Sequence, residues 1–268
     1  MMSFRKSPED IARINATLQN KRLSGERLEV AFRSDPDVIA KIMPKPLKPA
    51  GTDKVVVRVT RWVTNYCGTF TMAGLYLDAE HDGQSGEYVL SMFIDSYDAA
   101  LLIGREGFGE PKKMGSVELV RCGNSFMGTV DRLGTRLMTL KVEAGEDLGP
   151  SKGSQAGNLY SIKATLDLDG TLQGDAFLMA QQLEVNSSET RTGPGSLVLG
   201  GSPHDPIDEF PILEVLSGSY AVQELYGSRY PDGGYQRAVI PGEEFLPYHY
   251  GRLDDWSAHD VLSGLRGA

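Results

Sequence analysis

The sequence predicts a sheet-rich fold punctuated by short helices, and three observations carry that expectation. Gly and Pro number 31 and 14 among 268 residues, about one in six, a density that calls for many turns between short elements. Alternating or β-branched runs recur along the chain, each bounded by Gly, Asp or Asn. Segments with helical spacing are few, and they open on capping residues. No internal repeat or low-complexity linker divides residues 1–268, which therefore read as one domain.

Ser7-Pro8-Glu9-Asp10 starts the first helix, with a Ser cap, Pro at the first position and an acid three after the cap. Ile11, Ile14 and Leu18 then fall on one helical face. From Arg27 to Arg33 the alternation of Leu28, Val30 and Phe32 marks a strand, and Ser34-Asp35-Pro36 opens a helix that Pro44 must stop. Strand-like runs follow at 55–63, 68–77, 87–95, 116–121, 125–131 and 135–143, a spacing that suggests an antiparallel meander. Ser96 and Asp98 to Ile103 read as one more capped helix, leading into a Gly-rich turn over 104–109. Residues 149–157 read as a loop, after which strands resume near 159–167, 176–186, 195–199 and 212–226.

Composition narrows the function. Lys and Arg total 27 against 36 Asp and Glu, a net charge of −9, so a nucleic-acid backbone or an anionic membrane surface is repelled on average. No apolar run approaches the roughly 18 to 20 residues of a membrane span. The N-terminal stretch carries acids and lacks an apolar signal core, and two cysteines, Cys67 and Cys122, make no disulfide framework. These features point to a cytoplasmic protein with reduced thiols. The glycines of 104–109 are spaced G-x-x-G-x-G rather than as a dinucleotide fingerprint, and Glu110 stands where a phosphate loop beginning at Gly104 needs Lys. His81, His204, His249 and His259 show no metal-ligand spacing. Neither a metal nor an organic cofactor is expected.

One motif stands out. Gly104-Arg105-Glu106, four residues before Pro111-Lys112-Lys113-Met114-Gly115, resembles the G-R-E-x4-P-K-K-x-G signature of the acetoacetate decarboxylase family. Phe32-Arg33-Ser34-Asp35, Met43-Pro44-Lys45-Pro46-Leu47, Thr192-Gly193-Pro194 and Asp208-x2-Pro211-x2-Glu214-x2-Ser217 are similar to further segments of the family in the same order. The resemblance spans about residues 25 to 225, and residues 228–268 have no counterpart in it. It implies an α+β, β-rich fold, a cone-like closed antiparallel β-barrel with flanking helices and an active site inside. It also implies a homo-oligomer and a Schiff-base enzyme in which Lys112 forms the covalent adduct with a small oxo acid, an activated amine of which this family is the standard example.

An imine forms only from the neutral amine, and a free lysine with a pKa near 10.4 is less than about 0.1% neutral at pH 7. Bringing that pKa near 7 takes roughly 4 to 5 kcal/mol against the charged form. Burial can supply most of it, with the like charge of Lys113 as a second source. On a protein of net charge −9, Lys112 must then be shielded inside the barrel with the acids outside.

The sequence departs from the decarboxylase pattern in its pocket. Gly25 falls where the family has an arginine, although Arg22 and Arg27 are near, and Met72 falls where a pocket glutamate is expected. The family's other pocket glutamate falls near Thr60. Glu110 is a candidate acid beside the imine, its alternative being a solvated loop residue. Tyr250 and Tyr248 are candidate phenols for proton transfer or, alternatively, packed structural tyrosines. Met72, Phe70 and Phe93 would give the pocket an apolar lining.

Three functions follow from these residues. The first is an aldolase-dehydratase-type lyase joining pyruvate to an aldehyde through Lys112, which the departures at 25 and 72 favour. The second is decarboxylation of acetoacetate or another β-keto acid by the same electron sink. The third is a non-catalytic barrel that binds a hydrophobic ligand.

Overall fold

A computed structural model describes residues 4–96, 98–228 and 234–259. Helix α1 (Pro8–Gln19) begins where the Ser7 hydroxyl accepts the Asp10 amide at 3.2 Å. Strand β1 (Leu23–Arg33) leads to α2 (Pro36–Ile42), capped by the Asp35 carboxylate, which accepts the Asp37 amide at 2.8 Å. After the two-residue β2 (Lys48–Pro49), β3 (Lys54–Thr64), β4 (Gly68–His81) and β5 (Gln84–Ile94) form an antiparallel meander. Asp82 and Gly83 turn between the last two at φ 50° and 74°, the positive pair that a tight hairpin with right-twisted strands requires.

Helix α3 (Asp98–Leu102) continues into one π-helical stretch, Ile103–Phe108, and then the short β6 (Lys112–Met114). Strands β7 (Ser116–Cys122), β8 (Ser125–Arg132) and β9 (Thr135–Glu143) are followed by β10 (Ser151–Lys163), β11 (Ala176–Gly193), β12 (Gly195–Leu199), β13 (Glu214–Ser228) and β14 (Gln236–Ile240). Helix α4 (Gly242–Gly251) follows β14, and a 3-10 turn covers Trp256–His259.

The large sheet runs β4-β3-β1-β13-β11-β10-β5, and β4 also pairs with β5, so the path of pairings returns on itself. The fold is thus α+β and strand-rich, with seven strands in a ring. Its pairings are not all antiparallel: β10 runs parallel to β5 over Asn158–Tyr160, and β6 runs parallel to β5. The second sheet, β12-β9-β8-β7, packs against the outside of the ring. Between the two lies the main core, where Leu28, Val30 and Phe32 of β1 and Val55, Val57 and Val59 of β3 meet Phe126, Val130, Leu140 and Val142. Each fully buried side chain of this size contributes roughly 1.5–3 kcal/mol. Side chains alternate along a strand, so the opposite faces of β1, β3 and β4 turn Arg27, Glu29, Arg58, Thr60 and Met72 into the ring.

Several local expectations are corrected. The stretch 149–157 is mostly strand, because β10 pairs with β11 from Ser151 onward, and two register shifts with Gly157 at φ 77° absorb its glycines. That strand stops at Lys163 rather than near 167. The Ser96 hydroxyl does not cap α3 but donates to Asp95 at 2.8 Å. Strand β14 and α4 occupy a stretch where no element is expected; α4 carries Pro247 within it. Among the described residues no helix is long and apolar enough to cross a membrane.

Candidate active site

Strand β6 decides the fate of the two lysines. Lys112 pairs with Met92 and Lys113 with Phe93, and successive residues on a strand face opposite ways. Lys112 therefore shares the inward face of Met92, and its amine reaches the cavity inside the ring with only 7% of the residue exposed. Lys113 shares the outward face of Phe93. Its amine donates to Asp205 at 2.7 Å, to the His204 carbonyl at 2.7 Å and to the Leu253 carbonyl at 3.0 Å. Lys113 is thus no like-charged neighbour inside the cavity, and its charge is balanced by Asp205 and Asp254.

The Lys112 amine lies 2.9 Å from Glu110 Oε2, donates to the Ala100 carbonyl at 3.0 Å and stands 6.0 Å from the Phe70 ring centroid. The chain bends tightly to achieve this. The Glu110 amide donates to the Gly104 carbonyl at 3.0 Å, and the Lys112 amide donates to the Glu110 carbonyl at 2.8 Å across Pro111. Two glycines are required here. A Cβ on Gly104 would lie 2.5 Å from Glu110 Oε2 and 2.6 Å from Lys112 Nζ. Gly109 has φ 74°, and a Cβ there would lie 2.4 Å from the Lys163 backbone. The Gln181 amide faces the other Glu110 oxygen at 3.4 Å.

The cavity has a volume of about 1000 Å³. Part of its wall is apolar and aromatic, formed by Trp62, Tyr66, Cys67, Phe70 and Phe108. Another part is charged. Arg58 makes two 2.5 Å bonds to Glu87 and one to Glu29, and its guanidinium lies 4.5 Å from the Tyr76 ring centroid. Burial works against the Arg58 charge, but Glu87 and Glu29 outweigh it and raise its pKa. Burial likewise opposes the Glu29 charge, and Arg58 with Arg27 more than offsets it, leaving that carboxyl below the ordinary range. Arg27 differs: burial lowers its pKa, Glu29 approaches only to 3.9 Å, and its buried Nε has no hydrogen-bond partner. Burial raises the phenols of Tyr66 and Tyr76 and the thiol of Cys67.

Of the residues singled out in the sequence, Lys112, Glu110, Met72 and Arg27 line this cavity together, with Phe70 and Thr60. Lys113, Phe93 and Tyr250 do not. Phe93 is fully buried in the core outside the ring, and Met92 takes the inward place instead. Tyr250, on α4, donates its hydroxyl to the Gly170 carbonyl and is part-exposed. Gly25 has no room for a side chain, since a Cβ there would lie 1.9 Å from the Arg61 carbonyl oxygen of β3. Glu29, Arg58 and Glu87 line the cavity as well, without a motif that marks them. The available signal was the charged face of β1 and β3, which alternation alone assigns to solvent and ring closure turns inward.

Comparison with known proteins identifies the family and the fold. The family model for acetoacetate decarboxylase (ADC) matches residues 2–230. The chain belongs to the acetoacetate decarboxylase family. The acetoacetate decarboxylase of Clostridium botulinum is 27% identical over 205 residues, 75% of this chain and 82% of that protein. The crystal structure of the acetoacetate decarboxylase of Legionella pneumophila superposes with a TM-score of 0.72 at 23% identity, covering 82% of this chain and 87% of that one. The enduracididine biosynthesis enzyme MppR complexed with pyruvate gives a TM-score of 0.64 at 20% identity, covering 78% and 89%. MppR has also been solved with the condensation product of pyruvate and imidazole 4-carboxaldehyde, and in that form is 18% identical to this chain. At these identities the two structural likenesses bear on the fold. The curated relatives matched are acetoacetate decarboxylases, enzymes of the family to which this chain belongs.

Proposed function

We propose that the protein is a Schiff-base lyase that binds a small oxo acid through an imine at Lys112. The observation that carries the reading is the Lys112 amine held inside the cavity 2.9 Å from Glu110. Glu110 takes the ammonium proton, and the freed amine attacks the substrate carbonyl carbon. The resulting carbinolamine loses water with a proton from Glu110, leaving a cationic imine as an electron sink. The Glu110 carboxylate then takes a proton from the methyl carbon of bound pyruvate, giving an enamine, which attacks an aldehyde carbon while Glu110 returns that proton to the aldehyde oxygen. Loss of that hydroxyl as water gives an unsaturated oxo acid, and hydrolysis of the imine releases it and restores Lys112.

Condensation is the first reading because a C4 oxo acid fills a small part of about 1000 Å³, which leaves space for a second reactant, and because Met72 supplies no carboxylate on β4. Decarboxylation of a β-keto acid is the second. Arg27, which lines the cavity with Glu29 no nearer than 3.9 Å, favours it as a carboxylate anchor. In that case CO2 leaves the imine, and the enamine carbon is protonated.

Borohydride treatment in the presence of pyruvate or acetoacetate, followed by peptide mass spectrometry, should place the reduced adduct on Lys112. An unmodified Lys112, or equal trapping in Lys112→Ala, would overturn the proposal. Product analysis then separates the reactions: CO2 from acetoacetate alone marks decarboxylation, whereas consumption of pyruvate only with an added aldehyde marks condensation.

A further inference from the structure

The residues that follow α4 lie beyond the family match, which ends at 230. Three consecutive ones converge on the turn that carries Glu110 and Lys112. Arg252 donates from Nη1 to the Ile162 carbonyl at 2.7 Å and from Nη2 to the Gly109 carbonyl, the one directly before Glu110. Its guanidinium thereby ties the turn to β10, at the place where Gly109 already packs on the Lys163 backbone. On the other flank of Lys112, the Leu253 carbonyl accepts from Lys113 Nζ at 3.0 Å, and Asp254 lies 3.3 Å from the same amine. Arg132 completes this flank. It donates to Asp254 at 2.7 Å, to Asp205 at 2.7 Å and to the Met114 carbonyl at 3.1 Å.

Arg252 is an expensive residue to keep in this place. No carboxylate lies within ion-pair distance of it among the described residues, and its Nε is enclosed without a protein hydrogen bond. Its charge is met by two carbonyls and by the Phe245 ring, whose centroid is 5.5 Å away. A part-buried cation without an anion is poor material for stability alone. What it contributes is geometry, because planar forked donors fix two carbonyls at once.

We propose that Arg252–Asp254 form a brace that sets the position of Glu110 and Lys112 from behind the sheet, with Arg252 as the principal positioning residue. The proposal rests on the reading of Lys112 as the imine-forming lysine. The brace works from both sides: Arg252 holds the backbone before Glu110, and the Lys113–Asp254–Arg132 group holds the backbone after Lys112. Neither touches the cavity, so the brace acts on the placement of the reacting groups and leaves the substrate's other contacts alone.

The experiment uses the full chain carrying Arg252→Met, Arg252→Lys or Asp254→Asn. For each, borohydride trapping of pyruvate on Lys112 is measured against pyruvate concentration, and hydrogen exchange is followed by mass spectrometry over residues 104–115. Arg252→Met should slow maximal trapping about tenfold or more, as a misplacement approaching 1 Å does. The pyruvate concentration for half-maximal trapping should stay within about threefold. Arg252→Lys, which restores the charge and one donor, should recover part of the rate, and exchange over 104–115 should quicken in Arg252→Met while β8 and β9 are unchanged. If Arg252→Met does not fold, Asp254→Asn carries the test through the second flank. Trapping and exchange both equal to wild type in the folded variants would overturn the brace. Should the wild-type protein trap neither pyruvate nor acetoacetate, the imine reading falls, and the exchange comparison still decides whether these residues hold the turn.

Discussion

Gly104→Ala isolates the placement of the Lys112–Glu110 pair from everything else in the fold. Gly104 belongs to the π-helical stretch Ile103–Phe108, and its backbone φ is not positive, so alanine meets no conformational barrier. The added Cβ meets Glu110 Oε2 at 2.5 Å, Lys112 Nζ at 2.6 Å and Lys112 Cδ at 2.7 Å, where ordinary contact starts at 3.4 Å. Both functional atoms must then retreat by about 0.8–0.9 Å. A displacement of that order costs about 10²-fold in rate, or roughly 2.7 kcal/mol in the barrier.

Stability should respond differently. The atoms displaced are the far ends of flexible side chains, and replacing glycine removes unfolded-state entropy worth about 0.4–1 kcal/mol. The unfolding midpoint should therefore stay close to wild type while the rate of imine trapping at Lys112 falls about a hundredfold. Gly107→Ala is the control: it lies in the same stretch, and its Cβ would find nothing nearer than Ile103 Cγ2 at 4.0 Å. Trapping by Gly104→Ala within about threefold of wild type and of Gly107→Ala, with native-like unfolding, would refute the assignment of the pair as the reacting centre.

Two further outcomes test the surroundings. Arg58→Met leaves Glu29 and Glu87 in the cavity wall without the cation that joins them, and should cost about 3–5 kcal/mol in denaturant unfolding at pH 7; a loss under about 1 kcal/mol would mean that water already solvates both acids. His249, beneath Arg252 on α4, has its pKa lowered to about 4 by burial and by the charges of Arg252 and Arg105. Because the unfolded chain binds this proton near pH 6.5 and the folded one only near 4, the folded state loses stability as pH falls between those values and levels off below. With partial solvent screening the loss is about 1–2 kcal/mol, and His249→Gln should flatten that part of the stability–pH curve.

What the sequence made legible depended on whether one local rule governed the element. The caps at Ser7 and Asp35 satisfy helix amides through their own side chains, so both helices start where the residues say. The alternation of Leu28, Val30 and Phe32 likewise names the core face of β1. It does not say what covers the opposite face. In an open sheet Arg27, Glu29 and Arg58 would face water, and only closure of the ring, a matter of distant pairings, makes them a cavity wall. In β5 the run Met92-Phe93-Ile94 is apolar on both faces, so parity was ambiguous; β4 and β5 are also out of simple register between Leu75 and Tyr76. Phe93 therefore lies on the core side, opposite the lining place expected for it. The part played by Arg252 has no sequence signal, since it acts through carbonyls of residues 90 and 143 positions away.

The charge balance of the chain gains a more particular meaning from the cavity. Shielding Lys112 from a protein of net charge −9 called for acids outside the barrel, yet Glu29, Glu87 and Glu110 all line its interior. Four cationic residues line it with them: Lys21, Arg27, Arg58 and Lys112. Two of the three acids are committed, because Arg58 binds Glu87 through two nitrogens and Glu29 through a third. Glu110 alone stands against the amine. A proton passing from Lys112 Nζ to Glu110 Oε2 across their 2.9 Å separation removes one charge of each sign at once, leaving the interior no less balanced than before. A low-dielectric site tolerates a neutral pair more readily than a single uncompensated ion. In the proposed reaction the adjacent acid, which on a protein surface would merely hold a lysine charged, gives the nucleophile somewhere to leave its proton. The same acid must return a proton when water departs, which is why its position relative to Nζ, set by Gly104 in front and Arg252 behind, matters more than the number of carboxylates around it.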